Sequence, residues 1–174
     1  RLGAGLQILH CVFFPDPCFD LPIFGLDLVV GSSGVSAAIL DLSPAGEELP
    51  RIVLEQLKKI SKPSFKEVRL FPSWGTIFSP FAYFVRPFDN KEENMFLLLV
   101  NNYLEILFST LDLIDQDSAQ SESTINRYQG QLFYCLQQKR NDKTRISLEK
   151  AFNSYWADRY IEELLFDEPP RPCA

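Results

Sequence analysis

Several residue types are scarce in this sequence, and each scarcity removes a class of function. There is one histidine, His10, and four cysteines at positions 11, 18, 135 and 173, none spaced as CxxC. That is too little for a zinc site, which needs clustered imidazole and thiolate ligands. No GxxxxGK occurs, and no GxGxxG lies between a strand and a helix, so nothing marks a bound nucleotide. Cations are the minority charge, 17 Lys and Arg against 23 Asp and Glu, a formal net charge of −6. Such a balance argues against nucleic acid as the main partner. Long uncharged runs are missing too, because Asp27 and Asp41 interrupt the apolar N-terminal third before it reaches a membrane span. The first residues look like neither a signal nor a transit peptide, and an N-terminal segment ahead of Arg1 is expected. Two of the cysteines sit in strongly apolar contexts, where a free thiol acts as a small hydrophobe. A reduced, cytosolic protein is the expectation.

What is abundant is apolar bulk. Hydrophobic residues make up 46% of 174, with 15 Phe and 6 Tyr. That suffices for one sizeable core, and no linker or repeat divides the chain, so residues 1–174 are expected to form one domain. Segments 6–14, 23–30 and 34–42 are short, apolar and punctuated by Pro, Gly and Ser, as strands are. They are apolar on both faces, so both sides of the sheet need a cover. Residues 50–60 have helical spacing behind Pro50. Residues 65–71 and 77–86 read as further strands, with Pro80 at an edge or bulge. Beyond residue 90 the period becomes 3.6, predicting helices over 91–111, 124–140 and 144–166, with a polar connector at 115–123. The pattern is α+β, a three-layer α/β/α sandwich around a mostly antiparallel sheet.

His10 and Asp27 each interrupt an apolar strand. If 15–22 closes an antiparallel hairpin with Phe14 opposite Ile23, then His10 lies opposite Asp27 on one face, their Cβ atoms about 5 Å apart. A slip of one residue would part them. Ile8, Val12, Gly25 and Val29 would be their neighbours, and Gly25 would leave room for a ligand against the backbone. A desolvated carboxylate beside an imidazole titrates as one couple with it. Two readings stay open on spacing alone: a buried pair that satisfies itself, and a proton-transfer site in a large apolar pocket.

A second constellation is QQKRNDKTR, residues 137–145, with Lys139, Arg140, Lys143 and Arg145 around Asn141 and Asp142. It reads either as a solvated helix terminus or as a clamp for carboxylates with an acid at its centre. Arg69, within FKEVRLF, poses the same choice between a snorkelling strand arginine and a carboxylate ligand.

GLQILHCVFFPDP, LPIFGLDLVVGSSGVSAAILDLSP, PSWGTIF, YQGQLFYCLQQKRNDKTR and LEKAFNSYWADRYIEELLFD resemble, in order and over nearly the whole chain, blocks of the ferredoxin-dependent bilin reductases. Within them they resemble the branch that makes phycocyanobilin, because His10 matches that branch's active-site histidine. The resemblance implies reduction of biliverdin IXα through bilin radicals. Electrons would come from reduced 2Fe–2S ferredoxin, with no metal or organic cofactor bound. It implies that Asp27 is the central catalytic aspartate, His10 its partner and Asp142 a second acid at the pocket. Arg69 and Lys143 match positions that hold the substrate's propionates, and Ser36, Gln138 and Asn141 match pocket-lining positions. Ser147 departs from an apolar position of that wall. A glutamate that the branch needs for the D-ring vinyl reduction lies upstream of the first block. Viral relatives without it make phycoerythrobilin, so that product is one alternative and a non-catalytic bilin-binding protein is another. Ferredoxins are acidic, as this chain is, which singles out Lys139, Arg140 and Arg145 as docking candidates. Monomeric state, a cytoplasmic or plastid-stromal location and no membrane are the family expectations.

Overall fold

The computed structural model describes residue 5 and residues 7–172; Cys173 and the expected start of the first strand at residue 6 lie outside them. Four antiparallel strands form one sheet in the order β1 (Gln7–Phe13), β2 (Ile23–Gly31), β3 (Gly34–Ser43) and β4 (Tyr83–Val85). β2 and β3 meet in a two-residue turn in which Gly31 faces Gly34. Gly34 has φ +100°, a conformation that a side chain would strain. The pairing of β2 with β3 slips by one residue at Val29/Val30, a bulge. Ser36 steadies it, its Oγ donating 3.0 Å to the Val29 carbonyl.

Period-2 alternation sends the strand side chains to two different covers. On one face Phe24, Leu26, Ala38, Leu40, Leu42 and Val85 pack against α1 (Arg51–Leu57) and α2 (Asn90–Leu111). Asp89 caps α2, its carboxylate accepting 2.9 Å from the Glu92 N–H. Length and hydropathy would let α2 cross a membrane. Here its inner stripe, from Phe96 through Tyr103 to Leu107, is the core, while Leu97, Leu98 and Phe108 are exposed. The opposite face is covered by α3 (Glu122–Gln138) through Tyr134, which clusters with Ile23, Ala45 and Ile77.

α3 also anchors the long β1–β2 loop. Arg127 donates from Nε to the Pro17 carbonyl at 2.7 Å and from Nη2 to Asp117 at 2.5 Å, and Gln131 donates to the Pro15 carbonyl at 2.7 Å. Both side chains are buried, so these bonds hold the hairpin in register beneath the helix.

Three expectations are corrected. Residues 65–71 are not a strand: Val68 makes one isolated bridge to Val85, flanked by bonds from Arg69 N to Phe84 O (2.8 Å) and Arg86 N to Glu67 O (3.0 Å). The expected strand 77–86 shrinks to Tyr83–Val85, since Pro80 and Pro87 bracket it and Ser79–Ala82 is a turn. The helix expected over 144–166 is broken into α4 (Asp142–Ala151), α5 (Ser154–Tyr160) and a π-helical turn at Ile161–Leu165. Asn153 makes the break, its side chain accepting 2.8 Å from the Trp156 N–H as a new N-cap.

Candidate active site

The β1–β2 ladder sets His10 opposite Asp27 and Val12 opposite Gly25, so the expected register holds. His10 Nδ1 is bonded to Asp27 Oδ1. Both side chains are half-buried, and Phe166 meets the imidazole edge-on with ring centroids 5.2 Å apart. His10 Nε2 is buried and has no hydrogen-bond partner among the described residues. A buried ring nitrogen left open is unusual, because such groups are nearly always satisfied. It is the point at which a ligand has an unspent partner.

Two further groups on this face escaped the sequence reading. The first is Tyr134 of α3, almost fully buried. A Cβ placed on Gly25 would come within 3.1 Å of its hydroxyl, so glycine is what lets the phenol descend to the sheet. The hydroxyl accepts 3.1 Å from Gln138 Nε2, one helical turn on. Burial first, and then the Asp27 and Asp41 carboxylates, push the phenol well above its usual range, so it keeps its proton. The second is Asp41, opposite Gly25 on β3 and fully buried. Ser43 Oγ (2.5 Å) and the Ser79 N–H (2.8 Å) donate to its Oδ2, and Ser79 Oγ donates to Oδ1 at 2.5 Å. Burial pushes this carboxyl up to about 6 despite those hydrogen bonds. Carrying the hairpin register one strand further would have found Asp41, because it lands beside Asp27 on the same face. Tyr134 gave no such signal, being distant in sequence and one tyrosine among six.

The other expected residues are placed as follows. Gln138 is buried, and its amide holds Tyr134 in place. Ser36 sits at the bulge. Arg69 is partly buried, lies over the Phe84 ring (5.9 Å), and donates to Glu67 from Nε and Nη2 at 3.1 and 3.0 Å. Asn141 stands at the N-cap of α4 without a capping bond, and Asp142 and Lys143 are exposed in its first turn. No hydrogen bond or ion pair among the described residues joins Asp142 or Lys143 to His10–Asp27. The exposed Ser147 hydroxyl donates 2.8 Å to the Lys143 carbonyl. Lys139 is paired with Glu162 at 2.6 Å and Arg145 with Asp158, while exposed Arg140 donates 2.9 Å to Gln137. A cavity of about 780 Å³ lies between α1 and α2, bordered by Ile52, Lys59, Asn102 and Ile106, and holds none of these residues.

An imidazole, two carboxylates and a protonated phenol thus share one face of the sheet. The arrangement can hold several protons and release them toward whatever lies against β1 and β2.

Residues 1–167 match the family described as ferredoxin-dependent bilin reductase. The chain is 57% identical over 170 residues to the phycocyanobilin:ferredoxin oxidoreductase of Prochlorococcus marinus strain MIT 9313. It is 59% identical over 172 residues to that of Synechococcus sp. strain CC9902. These alignments take in 98% and 99% of this chain, which spans 64% of the first relative's length and 70% of the second's. Among solved structures it is similar to phytochromobilin synthase from tomato in complex with biliverdin. That likeness has a TM-score of 0.74 at 19% identity, covering 94% of this chain and 61% of the other, and shows the shared fold.

Proposed function

The chain belongs to the ferredoxin-dependent bilin reductases, and from that premise we propose that it reduces biliverdin IXα to phycocyanobilin. Reduced ferredoxin supplies electrons singly, and the protein's side chains supply protons. The observation that carries the reading is the bonded His10–Asp27 pair, with its open ring nitrogen, on a partly uncovered apolar face. A carrier needs a pocket but gains nothing from a proton-sharing pair, and buried ion pairs add little net stability.

Each vinyl reduction consumes two electrons and two protons. An electron arriving on the bilin raises its basicity, and the nearest acid then protonates the radical. Asp27 is the proton donor in this scheme. His10 orients it through Nδ1 and returns a proton to it. Positioned acids of this kind contribute about 10²–10⁴ in rate. Tyr134 stays protonated and can donate to a carboxylate or to the bilin without becoming an anion. Arg69 already grips a carboxylate, that of Glu67, through two nitrogens. A propionate would take Glu67's place there, with Lys143 at the second propionate. Asp142 would serve the far end of the tetrapyrrole, with Asn141 beside it.

The test is an anaerobic assay of the full-length protein with biliverdin and reduced ferredoxin, products resolved by chromatography, for wild type and Asp27→Asn. Phycocyanobilin from wild type, with Asp27→Asn binding biliverdin but turning over about 10²–10⁴ times more slowly, is expected. Phycoerythrobilin would keep the chemistry and change the branch. Undiminished turnover by Asp27→Asn would sink the assignment of the donor, and bilin bound but never reduced by wild type would favour a carrier.

A further inference from the structure

Although cations are the minority charge, five of the seventeen fall within residues 58–70: Lys58, Lys59, Lys62, Lys66 and Arg69, with Glu67 the one acid among them. The four lysines are exposed, and Lys58, Lys59 and Lys62 have no ion pair among the described residues. Lys66 Nζ lies 3.8 Å from the centre of the Phe88 ring and 4.0 Å from Asp89. Glu67 is shared between Arg69 and Arg86. Large apolar side chains stand exposed among these charges: Val68 at 70%, Leu70 at 93% and Phe88 at 69%. Uncovered apolar groups within a cationic surround are the usual anatomy of a docking patch for an oppositely charged protein.

The Arg69 end of the strip is also close to the chemistry. The Arg69 N–H donates to the Phe84 carbonyl at 2.8 Å. Phe84 pairs with Ile39 and Ile39 with Asp27, two strand spacings, about 10 Å, across the same face. The competing cluster in QQKRNDKTR is weaker than its sequence suggests. Lys139 and Arg145 are neutralised by Glu162 and Asp158, leaving only Arg140 and Lys143 of its four cations without an ion pair among the described residues.

We propose that the lysine strip of residues 58–70, with Phe88, is the docking surface for an acidic iron–sulfur electron carrier, in preference to the Lys139–Arg145 surface. The inference rests on the reductase reading above. One electron passes per encounter, from the reduced cluster to the bilin, oxidising the carrier and leaving a bilin radical. Because the chain as a whole repels an acidic partner, the attraction is local and should fade as salt screens it.

Charge reversal tests this in the full-length protein with the variants Lys59→Glu/Lys62→Glu and Arg140→Glu, neither of which touches the proton-donating groups. Three quantities are measured at low and high salt: ferredoxin affinity by calorimetry with the oxidised carrier, the KM for reduced ferredoxin, and the rate with a reduced viologen that needs no docking. The lysine variant should weaken affinity and raise KM by about tenfold or more at low salt, converging with wild type at high salt. Its viologen-driven rate and biliverdin affinity should be unchanged. Unaltered ferredoxin affinity in the lysine variant, or a tenfold loss in Arg140→Glu instead, would overturn the proposal. So would a matching fall in the viologen rate, which would place the defect at the bilin. A wild type that binds ferredoxin through these lysines yet reduces nothing would refute the reductase reading and leave the docking surface standing.

Discussion

Replacing Gly130 with alanine sets two effects against each other, and the structure decides between them. Gly130 lies inside α3, where alanine is favoured over glycine by about 1 kcal/mol. From helix propensity alone Gly130→Ala would therefore stabilise. The added Cβ, however, would fall on the carbonyl oxygen of Ala45 and 2.8 Å from its carbonyl carbon. The obstacle is backbone, and Ala45 is itself buried, so no side chain can turn aside. The helix must retreat until the atoms regain a separation of about 3.5 Å. Overpacking of this kind costs about 1–3 kcal/mol, occasionally more. The retreat also lengthens the buried bonds from Arg127 and Gln131 to the β1–β2 loop, worth about 1 kcal/mol each. Set against the gain in propensity, a net loss of about 2–4 kcal/mol is expected. For a chain of this size each kcal/mol is worth about 2–4 °C, so Tm should fall by about 5–15 °C in a thermal melt followed by circular dichroism. Gly31→Ala, whose Cβ would meet nothing within 4 Å, is the control and should change little. A Tm for Gly130→Ala equal to or above wild type would show that α3 does not ride on the Ala45 carbonyl, and the packing argument would fail.

Gly25→Ala should act on turnover more than on stability, because its Cβ would sit 3.1 Å from the Tyr134 hydroxyl and displace the phenol by tenths of an ångström. Steady-state kinetics should show kcat falling severalfold while Tm moves by only a few degrees; an unchanged kcat would remove Tyr134 from the reaction. Asp41 predicts a pH dependence. Its carboxyl rises from 3.8 to about 6 on folding, so the native state holds this proton more tightly than the unfolded chain does. Stability from this source is fully present below about pH 4 and is lost as pH rises through about 6, a swing of about 3 kcal/mol. Urea unfolding of wild type and Asp41→Asn at pH 4 and pH 7 should show the difference between them shifting by that order in favour of the variant at pH 7. An equal difference at both pH values would mean that Asp41 is not raised.

Local pattern was enough to read much of the fold and the centre of the site. Short apolar runs punctuated by Pro, Gly and Ser, with one hairpin assumption, located β1, β2 and β3 and set His10 against Asp27, because strand pairing is a rule about neighbours in sequence. The apolar run from residue 91 located α2 in the same way, and the resemblance supplied the family. The failures are equally local in origin. A run such as FKEVRLF has strand composition but no complete partner, since Pro80 and Pro87 confine β4 to three residues. Helical spacing continues past Asn153, yet its side chain caps a new helix there.

What no local pattern carries is the meeting of residues far apart in sequence. Tyr134 comes to the face that holds Asp27 and Asp41 only because α3 settles at Gly25 of the sheet and at Ala45 just beyond β3, where small residues permit the approach. Lys139 and Arg145 look like free cations until the chain folds Glu162 and Asp158 against them. The sequence by itself determined the strand register, the family and the His10–Asp27 pairing. Tertiary packing alone decided which phenol and which cations join or leave the site, because proximity across the fold depends on volume and contact that a linear pattern does not record.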